Sequence, residues 1–293
     1  MSNASTERMP HLEAAARAWV RVPNVAAAAM TEARLQLHHA AQVANAPAVS
    51  YLPPAADDSH TNFTWHPGFG AFVSHRVPFE QPRRFAWRVH DLTLLAIDDR
   101  DAEVASFSLA GKTAAQAHAW AQLQCEAAGG DAALYTDAKH YRIPAHAVGD
   151  GGAFGADAAA LAALAPHWRN AIAVLEAVEA DVAGSSSVRL WPHHFDAGLI
   201  ARIDATRSIG IGFTPGDEWF DEPYWYASPY PTPALGALRP TLAVGAHWHV
   251  DRWFSAVFPW RAYVVVAQQG AAVSAYLRSA LDANRQLLAA RPT

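Results

Sequence analysis

Two stretches of short aromatic and β-branched runs, 61–107 and 188–250, are each bracketed by alanine-rich segments, and this order limits the folds open to the chain. Runs of this kind, broken by Pro, Gly and Asp, read as antiparallel strands; examples are 69–75, 91–97, 188–203, 208–213, 224–230 and 242–250. The bracketing segments, 31–43, 112–128, 157–182 and 271–290, read as helices. Pro47 and Pro53 are expected to end the first of these, and Gly129 with Gly130 the second. The order helix, strands, helix then occurs twice, with the glycine-rich connector 149–155 between the copies. The expectation is an α+β protein of two similar halves, 1–150 and 151–293, with mainly antiparallel sheets and helices packed on one side.

A gapless internal match supports duplication. Trp65, Phe69, Ala71 and Arg76 align with Trp191, Phe195, Ala197 and Arg202 at an offset of 126, as from Trp65 to Trp191. The second copy is the longer, and its additional length holds much of a Tyr/Trp/His cluster.

The 293 residues are 52% hydrophobic and 17% charged, enough apolar material for a sizeable core. A net charge of −5 with dispersed cations argues against binding nucleic acid, which needs a positive surface to displace counterions. A single cysteine, Cys125, excludes an intrachain disulfide and a multi-cysteine zinc site, and reads as an inert helical thiol. The start, Met1 to Pro10, is polar, and no apolar run is long enough for a membrane span. A cytoplasmic protein with no membrane partner is expected.

The chemistry-bearing residues concentrate in three phrases: Trp191-Pro192-His193-His194-Phe195-Asp196, Glu222-Pro223-Tyr224-Trp225-Tyr226, and His247-Trp248-His249-Val250-Asp251. On an extended strand alternate side chains share a face, so His247, His249 and Asp251 point one way and Trp248 and Val250 the other. The same parity groups His194 with Asp196. If these strands are neighbours, His194, His247 and His249 could converge on a divalent metal (zinc, iron or manganese), with Asp196 or Glu222 orienting them. Tyr224 and Tyr226 would then shape a pocket for a small-molecule ligand. The carboxylates Asp217, Glu218, Asp221 and Glu222 are close enough in sequence for one of them to serve in acid–base work.

The bland alternatives are a solvated polar strand face, core packing of the aromatics, and self-association through exposed rings such as Trp225. No nucleophile elbow or phosphate-binding glycine loop occurs, and Gly210-Ile211-Gly212 lacks the following helix of a dinucleotide site.

The three phrases resemble those of an uncharacterised family of bacterial proteins of about this length, known by Trp-Pro-His-His-Phe-Asp, Glu-Pro-Tyr-Trp-Tyr and Gly-x-His-Trp-His patterns. In this chain they are Trp191 to Asp196, Glu222 to Tyr226 and Gly245 to His249. The likeness extends to the first helix and implies no particular chemistry. Where family members continue with Thr-Glu-Gly, this chain has Val250-Asp251-Arg252. Two readings therefore stand side by side: an enzyme with a His/Asp/Tyr site, and a non-catalytic binding module for a small molecule or a protein.

Overall fold

The computed structural model describes residues 8–234 and 238–290, so most of the polar start, Met1 to Pro10, lies outside the described residues. The helices are α1 (Pro10–Arg17), α2 (Ala27–Tyr51), α3 (Ala114–Ala127), α4 (Ala158–Asp181), α5 (Trp260–Tyr263) and α6 (Gln269–Ala289). The first sheet contains β1 (Thr64–His66), β2 (Ala71–Val73), β3 (Arg84–Arg88), β4 (Thr93–Ile97) and β5 (Glu103–Ser108) in sequential antiparallel order. The second contains β6 (Arg189–Trp191), β7 (Asp196–Arg202), β8 (Ser208–Thr214), β9 (Tyr224–Tyr230), β10 (His247–His249) and β11 (Ser255–Pro259). Its order is β10-β11-β9-β8-β7-β6, so the last strand of the chain inserts between β9 and the short edge strand β10. The α+β class and the antiparallel sheets agree with the sequence reading.

The two sheets meet along their first strands. Phe63, just before β1, and Leu190 in β6 exchange backbone hydrogen bonds of 2.9 and 3.0 Å in an antiparallel bridge. Helices lie on one side of each sheet: α2 on β3, α3 on β5, α4 on β7 and β8, and α6 on β9 and β11. One apolar cluster joins Phe72, Phe85 and Trp87 of the first sheet to Phe213, Trp225 and Phe258 of the second through these helices. Helix α1 packs on α4 and α6, so the N-terminal segment is attached to the second half of the chain.

Helix α2 is longer than the sequence suggests, because it runs through Pro47 and ends at Tyr51. Proline removes one backbone bond and crowds the preceding turn. Burial around nearly the whole circumference of α2 outweighs that cost. Met30, Ala33, Leu37, Ala40 and Ala44 enter the core at helical spacing, while Arg34, His38, Gln42 and Asn45 form a buried polar stripe on another side. That stripe holds the ends of the second sheet: Arg34 donates to the Gly216 and Asp217 carbonyls (2.9 and 3.2 Å), and His38 and Gln42 both donate to the Pro192 carbonyl (2.8 Å each). Elsewhere the helix ends follow local rules. Thr113 and Gln116 form a capping box on α3, and Asp157 caps α4.

The hairpins β1–β2 and β6–β7 close over four-residue turns of the same form, with Gly70 at φ 59° and Phe195 at φ 57° in the same place. A phenylalanine is costly in this left-handed region. It is held there by its ring, stacked 4.6 Å from His38 and packed against Trp87 and Trp168. Matching the turns sets the structural offset at 125, as from Gly70 to Phe195, one less than the sequence match. Asp196 therefore takes the place of Ala71, and by strand parity each residue faces opposite to what the offset of 126 implies. On the outer face of the first sheet Ala71, Val73, Ala86, Leu95 and Ile97 close into a small apolar layer. The equivalent face of the second sheet carries Asp196, Gly198, Gly212 and Tyr226.

Candidate functional site

The register of the second sheet lines up Arg189, Gly198, Gly212, Tyr226, Val257 and His247 across neighbouring strands, on the face turned away from α4 and α6. Strand parity adds Asp196, Tyr224 and His249 to this face. Trp225 points the other way and is fully buried in the core, so neither a pocket wall nor an association surface is available to it. All three sequence phrases thus contribute to one sheet face.

Glycine makes room for the centre of the site. A Cβ on Gly198 would lie 2.8 Å from the Tyr226 phenol oxygen, and one on Gly212 would overlap the phenol and sit 2.7 Å from the Ala197 carbonyl. The Tyr226 ring lies across both strands in the trough so formed, and its hydroxyl donates to Asp196 Oδ2. Asp196 Oδ1 is sealed from solvent and has no partner, the one carboxylate oxygen in that condition among the described residues. Burial pushes the Asp196 carboxyl up from its ordinary value, opposed by the Tyr226 hydrogen bond and by nearby His194. Burial and the Asp196 charge together push the Tyr226 phenol well above its ordinary value.

Beside this pair the Tyr224 hydroxyl donates to Asp217 Oδ2, and Asp217 Oδ1 accepts the backbone N–H groups of Trp219 (2.8 Å) and Phe220 (3.0 Å). The loop between β8 and β9 is therefore folded around Asp217 and pinned from behind by Arg34. It delivers Phe220 to within 4.7 Å of the Tyr224 ring. From the other side Trp253, in the loop between β10 and β11, lies 6.3 Å from Tyr224 and 4.6 Å from His249. His249 is 5.6 Å from Phe220 and donates from Nε2 to the Asp251 carbonyl (2.8 Å). These rings form an aromatic cover over the two tyrosines. The clefts of about 170 Å³ (Phe63, Trp65, Glu176, Leu190) and about 340 Å³ (Val182, Ile209, Arg207, Leu281) lie elsewhere and include none of these residues.

The expected convergence of His194, His247 and His249 does not occur. His194 is exposed on the turn before β7, beside His193 at 4.4 Å, whereas His247 and His249 lie on β10. Four strand spacings separate β10 from β7, about 19 Å at the usual distance between neighbours. Among the described residues no three His, Cys, Asp or Glu side chains group as metal ligands would have to. The parity that joined His194 to Asp196 fails because residues 192–195 form a turn. His247 is exposed, its pKa lowered by partial burial and by His249.

Glu222 serves another element. Its carboxylate is buried, accepts the Arg261 backbone N–H (2.9 Å) and pairs with the Arg261 guanidinium. Because Pro259 offers no side-chain cap, this carboxylate caps α5 and ties it to the start of β9. Nothing local marks Arg34 as a site residue, because its partners lie more than 180 positions away. Gly198 and Gly212 had a faint signal, lying two residues from Asp196 and from Gly210 in strand-like runs.

No protein-family model matches the sequence, and neither a curated protein nor a solved structure matches it. No helix among the described residues is long and apolar enough to cross a membrane.

Proposed function

We propose that the outer face of the second sheet binds a small molecule, and that Asp196, positioned by Tyr226, exchanges a proton with it. The observation that supports this is Asp196 Oδ1. Leaving a buried polar atom unpaired costs about 1–3 kcal/mol, more for a charged group, so folded proteins keep few of them. A bound donor removes that cost. With its pKa raised by burial, the Asp196 carboxylate can take a proton from a ligand donor at Oδ1 and return it, while Tyr226 fixes the carboxylate in place. Tyr224, held by Asp217, forms the neighbouring wall, and Trp253 and Phe220 exclude water.

The completeness of the aromatic cover favours a second reading, a binding module without turnover, in which Asp196 only accepts a hydrogen bond. Carboxyl carbon NMR of the labelled protein, combined with thermal-shift screening of small uncharged fragments, tests the proposal. Asp196 is expected to titrate above about 3.9, the ordinary aspartate value, and fragments that raise Tm are expected to lose that effect in Asp196→Asn. An ordinary titration together with no stabilising fragment overturns it. Binding that survives in Asp196→Asn selects the module.

A further inference from the structure

The atoms left unanswered around the site specify what a ligand must carry. Asp196 Oδ1 needs a donor. The indole N–H of Trp253 is also sealed and without a partner, and it needs an acceptor. The rings between and around them are tilted: Phe220 to Tyr224 by 47°, Tyr224 to Trp253 by 38° and Trp219 to His249 by 59°. Among the described residues of this face no parallel pair offers a slot for a planar base.

The charges narrow the choice further. Two carboxylates, Asp196 and Asp217, carry the tyrosine hydrogen bonds, and the guanidiniums nearby have partners except at Arg34 Nε, which is sealed against Gly216 without one. Arg34 donates to the Gly216 and Asp217 carbonyls, Arg189 donates to the Val188 carbonyl (2.7 Å), and Arg252 lies over the Trp219 ring (5.4 Å). An anionic ligand is disfavoured. An ammonium would satisfy Asp196 but presents only donors, leaving the Trp253 N–H unanswered. A hydroxyl is donor and acceptor at once, and a puckered ring with apolar C–H faces packs against tilted aromatic walls better than a flat one.

We infer that the ligand is a neutral polyhydroxylated ring of the carbohydrate class, seated between Asp196 and Trp253. The inference rests on the reading of this face as a ligand site and adds the class. The ring enters when residues 250–253 lift, which breaks no strand pairing and leaves buried Phe254 and the Arg34 anchor of the other loop in place.

The test uses methyl glycosides of glucose, galactose and mannose and N-acetylglucosamine as probes, with a flat heteroaromatic base and benzylamine as contrasts. Saturation-transfer NMR and the ¹H–¹⁵N signal of the Trp253 indole report on the full chain. At least one glycoside is expected to bind saturably and to shift the indole signal. Trp253→Phe, which keeps a ring and removes the N–H, is expected to weaken binding about tenfold, the loss of one hydrogen bond. Absence of saturable binding by every glycoside, or binding that leaves both the indole signal and Trp253→Phe affinity unchanged, overturns the inference. If benzylamine or the base binds and Asp196→Asn abolishes it, the class is wrong and the site stands. If no probe binds and Asp196 titrates ordinarily, both fall.

Discussion

Acid should destabilise this protein through two buried histidines, and the loss can be assigned to them one at a time. His38 is 4% exposed, donates to the Pro192 carbonyl at 2.8 Å and stacks on Phe195. Burial lowers its pKa from 6.5 to about 3, with His39, Arg34 and His193 adding like-charge repulsion. His167, 2% exposed between Phe213 and Trp260, is lowered to about 3 by burial alone. In the unfolded chain both bind a proton near pH 6.5, whereas in the folded protein neither does until about pH 3. The unfolded state therefore holds more protons below pH 6.5, and stability falls as the pH drops through that window. At about pH 5 each histidine costs about 2 kcal/mol relative to about pH 7.5, from 1.36 kcal/mol per pH unit over about 1.5 units. The pair costs about 4 kcal/mol. Carboxylates with lowered pKa, such as Asp91, lose their contribution only at lower pH and do not confuse the measurement. Urea unfolding followed by tryptophan fluorescence at the two pH values measures the loss. His38→Gln keeps a donor for Pro192 and cannot titrate, so it should lose about 2 kcal/mol less than wild type over the same interval, whatever its stability at neutral pH. Equal losses in the two proteins would refute the assignment of His38 as a neutral buried base.

Three further outcomes follow from particular contacts. Gly212→Ala is expected to cost about 1–3 kcal/mol in urea unfolding, because the new methyl meets the Tyr226 phenol and the Ala197 carbonyl, while Gly210→Ala, whose nearest neighbour is 4.0 Å away, is expected to be close to neutral. Glu222→Gln should lower stability by about 1–2 kcal/mol, discounted for the exposed Arg261 side chain, and leave fragment binding unchanged, since the carboxylate caps α5 and lies outside the site. Cys125 is sealed in α3 with its thiol pushed up to about 12 by burial, so a colourless-to-coloured thiol reagent should label it only as the protein unfolds.

Much of the secondary structure was readable because it depends on local rules. Thr113 and Asp157 cap helices where hydrophilic residues precede alanine-rich runs, Gly129 stops α3 at φ 95°, and the β-branched and aromatic runs became β2, β4, β8 and β9. The strand expected at 242–250 shrank to His247–His249, and 188–203 was cut by its turn, because register and turn closure depend on partner strands. The site was half legible. Tyr224 and Tyr226 share a face because strand parity is a local property, whereas the meeting of Asp196 with Tyr226 depends on the order of β7, β8 and β9. The histidines did not join them, because strand order places β10 and the β6–β7 turn at opposite sides of the sheet.

By itself, then, the sequence determined the α+β class, the capped starts of α3 and α4 and the alternation within β8 and β9, since these follow from backbone sterics and side-chain size within a few positions. Only the tertiary structure decided that the two hairpin turns of the same form lie 125 positions apart, that Arg34 anchors the loop around Asp217, and that Asp196 Oδ1 is left enclosed without a partner. Those facts arise from strand order and from packing between residues far apart in the chain, where free energy is set by which groups exclude water together rather than by what neighbours them in sequence.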